Sequence, residues 1–127
     1  MLVVSACSTT NGDLLNTNTV EVTLNGEQVP IDNGVQCHQL EWMWTIESVQ
    51  QEPGFTAIVE TGDSLTGKIV RLRGLDGFTG SAIGDSGDDI KVDIDGFTYI
   101  ISGTAHGSYA DHPVKQTTAD FRIRADC

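Results

Sequence analysis

The chain has 127 residues, 39% hydrophobic and 6% aromatic, and its 18 Asp and Glu against 7 Lys and Arg give a net charge of -11. That length suits one domain, and so acidic a surface repels phosphate backbones and anionic headgroups, which excludes nucleic acid as a partner and leaves solubility as the reason for the charge. No run of about 18 apolar residues occurs, so the sequence as given holds no transmembrane helix, and membrane contact has to be made through an anchor.

Such an anchor is written at the start. Met1-Leu2-Val3-Val4-Ser5-Ala6-Cys7-Ser8 is a short apolar run closing on two small residues and a cysteine. Small residues ahead of the cut let a signal peptidase hold the strand closely, and the thiol that follows takes a diacylglyceryl group, so Cys7 reads as the lipidation site of a lipobox. The competing reading is a free or buried thiol near a frayed terminus, which is a liability in a secreted protein. Six residues precede Cys7 and none is basic, whereas a working signal needs a basic start and about 7 to 15 apolar residues. The expectation is that the natural gene product begins further upstream. Ser8 to Thr19 is mostly small and polar without periodicity, and reads as a flexible tether of about 20 Å. Residues 1–19 are therefore assigned to signal remnant and tether, and 20–127 to the folded domain.

Within the domain, period-two alternation recurs. Val20, Val22 and Leu24 share one face opposite Glu21 and Thr23, and Asn25-Gly26 supplies a hairpin turn. Leu40, Trp42, Trp44 and Ile46 alternate with Glu41, Met43, Thr45 and Glu47, as in one half-buried strand. Further strands are predicted over Phe55 to Glu60, Lys68 to Arg73, Phe78 to Ile83, Ile90 to Asp95, Phe97 to Ala105 and Phe121 to Ala125, with Gly, Asp or Pro between them. Asp95-Gly96 is expected to form a type I′ turn. Pro113 argues for a loop over Ser108 to Ala119. Strands at a spacing near ten residues predict an all-β fold, an antiparallel β-sandwich or flattened barrel.

With Cys7 assigned to lipid, Cys37 and Cys127 remain as an even pair and are expected to form a disulfide, which an oxidising compartment permits. Neither has a second cysteine at the short spacing that zinc sites use. Trp42 and Trp44 invite two readings: an aromatic platform for a sugar ring or acyl chain, or core packing alongside Leu40 and Ile46. His106, Asp111 and His112 carry metal-ligand chemistry, and with Ser108 the elements of a nucleophilic triad. Their spacing matches no common metal motif, and the Gly-x-Ser-x-Gly elbow is missing. The acidic run Asp85-Ser86-Gly87-Asp88-Asp89 fails the calcium-loop pattern, since Ile90 stands where Gly is required, and reads as a solvated turn. Arg71, Arg73, Arg122 and Arg124 alternate on two strands and are expected to face outward. No catalytic residue, metal or cofactor is implied.

The order of Val22-Thr23-Leu24-Asn25-Gly26, Val35-Gln36-Cys37, Gly54-Phe55-Thr56-Ala57, Gly77-Phe78-Thr79-Gly80, Tyr99-Ile100-Ile101-Ser102-Gly103-Thr104-Ala105-His106-Gly107 and Phe121-Arg122-Ile123-Arg124-Ala125-Asp126-Cys127 resembles the LpqH-type lipoprotein antigens of mycobacteria. The likeness spans about residues 20 to 127, and the Gly-Thr-Ala-x-Gly string and the terminal cysteine weigh most. The resemblance implies a lipid-anchored, extracytoplasmic envelope protein with a β-rich domain and no catalytic residues. It also implies a surface or antigenic role in which the acylated N-terminus engages host lipoprotein-sensing receptors. Trp42 and Trp44 are bulkier than the family's usual residues in that strand. They suggest the alternative function, a carrier or binding module for an apolar ligand such as a lipid or glycolipid, with these two side chains at its mouth.

Overall fold

The computed structural model describes residues 18–127. Ten strands follow in chain order: β1 (Val20–Leu24), β2 (Glu27–Val29), β3 (Val35–Leu40), β4 (Met43–Ser48), β5 (Gly54–Glu60), β6 (Thr66–Leu75), β7 (Phe78–Ile83), β8 (Ile90–Asp95), β9 (Thr98–Tyr109) and β10 (His112–Asp126). A single 3-10 turn at Gly84–Ser86 joins β7 to β8. All the pairings are antiparallel.

Hydrogen bonding runs along one path, β2-β1-β10-β9-β7-β6-β5-β4-β3. β7 and β8 share one edge of β9: β8 pairs along Thr98–Gly103 and β7 along His106–Tyr109. The two ends of the path come back together. Asn18, just ahead of β1, forms an isolated antiparallel bridge with Val35 at the start of β3, and Cys37 on β3 is bonded to Cys127 beyond β10. The all-β class is as expected: the strands form one open antiparallel sheet packed around a single hydrophobic core, with its two ends linked by that bridge and the disulfide.

Alternation accounts for that core. Val22, Ile46, Phe55, Ala57, Val59, Val70, Leu72, Ile101, Ile123 and Ala125 are each at most 1% exposed and sit at every second position of their strands. The longest strand, β10, buries Ala119, Phe121, Ile123 and Ala125 while Asp120, Arg122 and Arg124 face water.

Several expectations need correction. Asn25 (φ 54) and Gly26 (φ 87) form the two-residue turn foreseen between β1 and β2. The second predicted turn is displaced by one residue. Asp95 pairs with Thr98, so the turn is Gly96-Phe97, with only Gly96 at positive φ, as in a type II′ turn. Ser108 to Ala119 is not a loop. β9 continues to Tyr109 and β10 starts at His112, and Pro113 is accommodated where the register slips between His112 and Thr117, so that its missing N–H interrupts no regular ladder. Finally, Asn18 and Thr19, assigned to the tether, take part in the fold: Asn18 bridges Val35, and the Thr19 carbonyl accepts the Asp126 N–H.

Candidate functional site

The stretch Leu40 to Glu47 is two strands and a turn. Leu40 pairs with Met43, and Glu41-Trp42 makes the reversal with Glu41 at φ 55. Leu40 is consequently 77% exposed and Trp42 64%, whereas Ile46 is fully buried. The single half-buried face expected for Leu40, Trp42, Trp44 and Ile46 therefore does not exist. Trp44 lies against the core, its ring 5.6 Å from that of Tyr99. Trp42 stands at the hairpin tip, where its carbonyl accepts the Thr61 N–H at 2.7 Å. Beside it a groove of about 440 Å³ runs along Glu60, Gly62, Asp63, Ser64 and Thr66. Core packing thus describes Trp44 and exposure describes Trp42, and the pair does not form one platform.

The Cys37–Cys127 disulfide is present, with its Cα atoms 5.8 Å apart. It joins the last strand of the path to the end of β10, across the seam that the Asn18–Val35 bridge also spans. Beside it, Asp126 collects the hydroxyls of Thr19 and Thr98. The Thr19 hydrogen bond first, then that of Thr98, hold the Asp126 carboxyl below the usual carboxylate range, and Arg124 adds to this. Burial raises the Tyr99 phenol above its ordinary value. Cys7 lies outside the described residues.

The remaining polar candidates are separated. His106 on β9 faces Asp88, with Nε2 3.3 Å from its Oδ1, while His112, at the turn of the β9–β10 hairpin, faces Asp111 at 3.3 Å. Among the described residues no group of three His, Cys, Asp or Glu is placed to hold a metal ion. The acidic turn is held locally. Asp88 accepts the Ile83 N–H at 2.8 Å, and Asp85 meets Lys68 at 3.3 Å. Arg71, Arg122 and Arg124 face water as expected. Arg73 shares that outer face but is half-buried there, since it donates through Nε to the Gln51 carbonyl and through Nη1 to the Thr56 hydroxyl, both at 2.9 Å. In that position it ties the β4–β5 loop to the sheet, a role that alternation alone could not signal.

A groove of about 590 Å³ opens to solvent between Asn18–Val20 and the Ile31–Gly34 loop, with Val49 at its edge. The interior is occupied by Phe55, Phe78, Leu72, Leu75 and the other core side chains. A small antiparallel β domain stapled by a disulfide belongs to an oxidising compartment, and the class that this fold defines is that of small β domains displayed outside the cytoplasm.

The profile of the Mycobacterium 19 kDa lipoprotein antigen matches residues 14–127. A lipoprotein of Mycobacterium avium subsp. hominissuis is 35% identical over 125 residues, covering 96% of this chain and 84% of that protein. A lipoprotein of Mycobacterium indicus pranii is 34% identical over 113 residues, covering 87% and 79%. The lipoprotein LppE of Mycobacterium tuberculosis is 29% identical over 92 residues, covering 72% and 66%. The chain belongs to the Mycobacterium 19 kDa lipoprotein antigen family. That membership makes it a lipid-anchored protein of the cell envelope.

Proposed function

We propose that this chain is a non-enzymatic display lipoprotein: it is acylated at Cys7, and the lipid holds the disulfide-closed β domain outside the membrane. The domain acts as a surface antigen, and the acylated N-terminus is the part that host lipoprotein-sensing receptors engage. Membership in a lipoprotein antigen family, matched from residue 14 to the last residue, carries the reading. Cys7 supports it by its position seven residues ahead of that match and directly after Ser5-Ala6. A carrier for an apolar ligand has less behind it, because Trp42 and Trp44 point to different surroundings and the core is filled by large side chains.

Expression of the wild type and Cys7→Ser in a mycobacterium tests the reading. The wild type is expected in the membrane fraction and in the detergent phase of a Triton X-114 partition, and Cys7→Ser in the aqueous phase. Receptor activation by the purified protein should disappear with the same substitution. Equal partitioning of the two proteins would remove Cys7 as the anchor.

A further inference from the structure

The exposed apolar side chains are not scattered. Among the described residues, all the large ones except Val49, Ile83 and Val114 lie at one end of the sheet. Leu40, Trp42 and Met43 form the β3–β4 tip, Leu65 precedes β6, and Ile94 and Phe97 flank the β8–β9 turn. Two links place these turns side by side. Trp44 and Tyr99 have their rings 5.6 Å apart, and two residues outward from each, in the same direction, stand Trp42 and Phe97. Cys127, bonded to Cys37 on β3, also donates its N–H to the Phe97 carbonyl at 2.7 Å. Trp42 at 64% and Phe97 at 81% exposure are large rings held at the tips of tight turns with little beneath them. A monomeric soluble domain does not ordinarily gather such residues at one pole unless that pole meets something apolar.

The chain enters the domain at this same pole. Val20, the first residue of β1, pairs with Ala125, which in turn pairs with Tyr99. Asn18 runs antiparallel to β3, so the chain approaches from the side on which β3 ends at Leu40. Ten residues separate Cys7 from Asn18, a stretch that spans at most about 40 Å. A lipid on Cys7 therefore draws this pole toward the bilayer ahead of the opposite one with Asn25, Asp76 and Asp111.

We infer that the Trp42–Phe97 pole is a membrane-docking surface: resting on the anchor reading of Cys7, the domain sits end-on against the bilayer, with Trp42, Phe97 and Leu40 entering the interfacial layer. Aromatic rings suit that layer because one edge can remain wet while the face is buried. Glu41, Asp63 and Asp95 are exposed at the same pole, so the surface fits zwitterionic or uncharged headgroups and is repelled by anionic ones. Docking need not be strong, because the tether supplies a high effective concentration.

The experiment uses the full chain with its disulfide intact, in which Cys7 is the one remaining thiol and can be coupled to a maleimide-headgroup lipid in phosphatidylcholine vesicles. The anchor is then chemical, independent of acylation in a cell. Tryptophan emission is expected to move to shorter wavelength on tethering and to be quenched by brominated acyl chains. Trp42→Phe, an exposed and structurally mild change, should abolish both effects. Phe97→Ser should lower the ratio of docked to free domain about tenfold, as loss of one buried aromatic ring predicts. Replacing part of the phosphatidylcholine by phosphatidylglycerol at low salt should weaken the signal. Identical emission in tethered and free protein, with no quenching, would overturn the inference, as would a shift that grows with protein concentration without vesicles, which would make the occupant a second copy. Absence of native acylation combined with quenching here would sink the anchor reading and leave the docking surface standing.

Discussion

Replacement of both Cys37 and Cys127 by Ala probes the seam on which the closure of the sheet depends. The two cysteines are 90 residues apart in sequence. Releasing a loop of that length restores chain entropy to the unfolded state worth about 4 to 5 kcal/mol at 25 °C in the loop-closure treatment. Domains of this size have a total stability of about 5 to 15 kcal/mol, so the loss should be a large share of the whole, and the thermal midpoint should fall by roughly 15 to 20 °C. The effect should also be local in its first stage. Across the seam, the disulfide is joined by the Asn18–Val35 bridge, and the amides of Asn18 and Val35 should exchange with solvent sooner than those of Ile101 and Ile123 on β9 and β10. Urea denaturation of the oxidised, reduced and doubly substituted proteins, with amide exchange on each, measures both parts. A midpoint change equivalent to less than about 1 kcal/mol, or uniform exchange across β3 and β10, would refute the view that this bond fastens the sheet to itself.

Two other substitutions test separate features. At Gly107, where β7 and β9 pair, an added Cβ would overlap the Thr79 carbonyl oxygen and the Gly80 backbone; Gly107→Ala should cost about 1 to 3 kcal/mol in chemical denaturation, and a neutral result would show that these strands can separate freely. Asp126 has its carboxyl pKa lowered by Thr19 and Thr98, so its contribution is present above the unfolded carboxylate pKa of about 3.9 and is lost as the pH falls through the lower folded value. Asp126→Asn should therefore flatten the dependence of the urea midpoint on pH below about 4; unchanged curvature would mean that the two hydroxyl contacts do not bias the acid.

Reading strands from alternation worked where turn chemistry marked their ends, as at Asn25-Gly26, and the strand from Phe55 to Glu60 is β5 but for one residue. It failed where the turn has no such mark. Glu41-Trp42 lacks Gly, Pro, Asn and Asp, yet Glu41 adopts φ 55. Leu40 and Trp42 also continue the spacing of Trp44 and Ile46 by coincidence, although the turn shifts the inward face from Val35 and Cys37 on β3 to Trp44 and Ile46 on β4, so the hairpin reads as one strand. Pro113 misled for the opposite reason. It is a breaker in a regular ladder, but the irregular start of β10 has no ladder to break. The candidate site was partly legible. Cysteine parity led to Cys37 and Cys127 without geometry, whereas the apolar character of the Trp42–Phe97 pole depends on which distant turns the sheet brings together, and that is not written in any local window. Arg73 is similar, since its partners Gln51 and Thr56 lie some 20 positions away.

The central claim is that lipid on Cys7 anchors a disulfide-closed β domain in the envelope, and intact-mass spectrometry of the protein extracted from mycobacterial membranes tests it most directly. The predicted species is a mature chain beginning at Cys7, heavier by a diacylglyceryl group and any further acyl chain, and lighter by the two hydrogens lost in forming the Cys37–Cys127 bond. An unmodified polypeptide that retains residues ahead of Cys7 would contradict it.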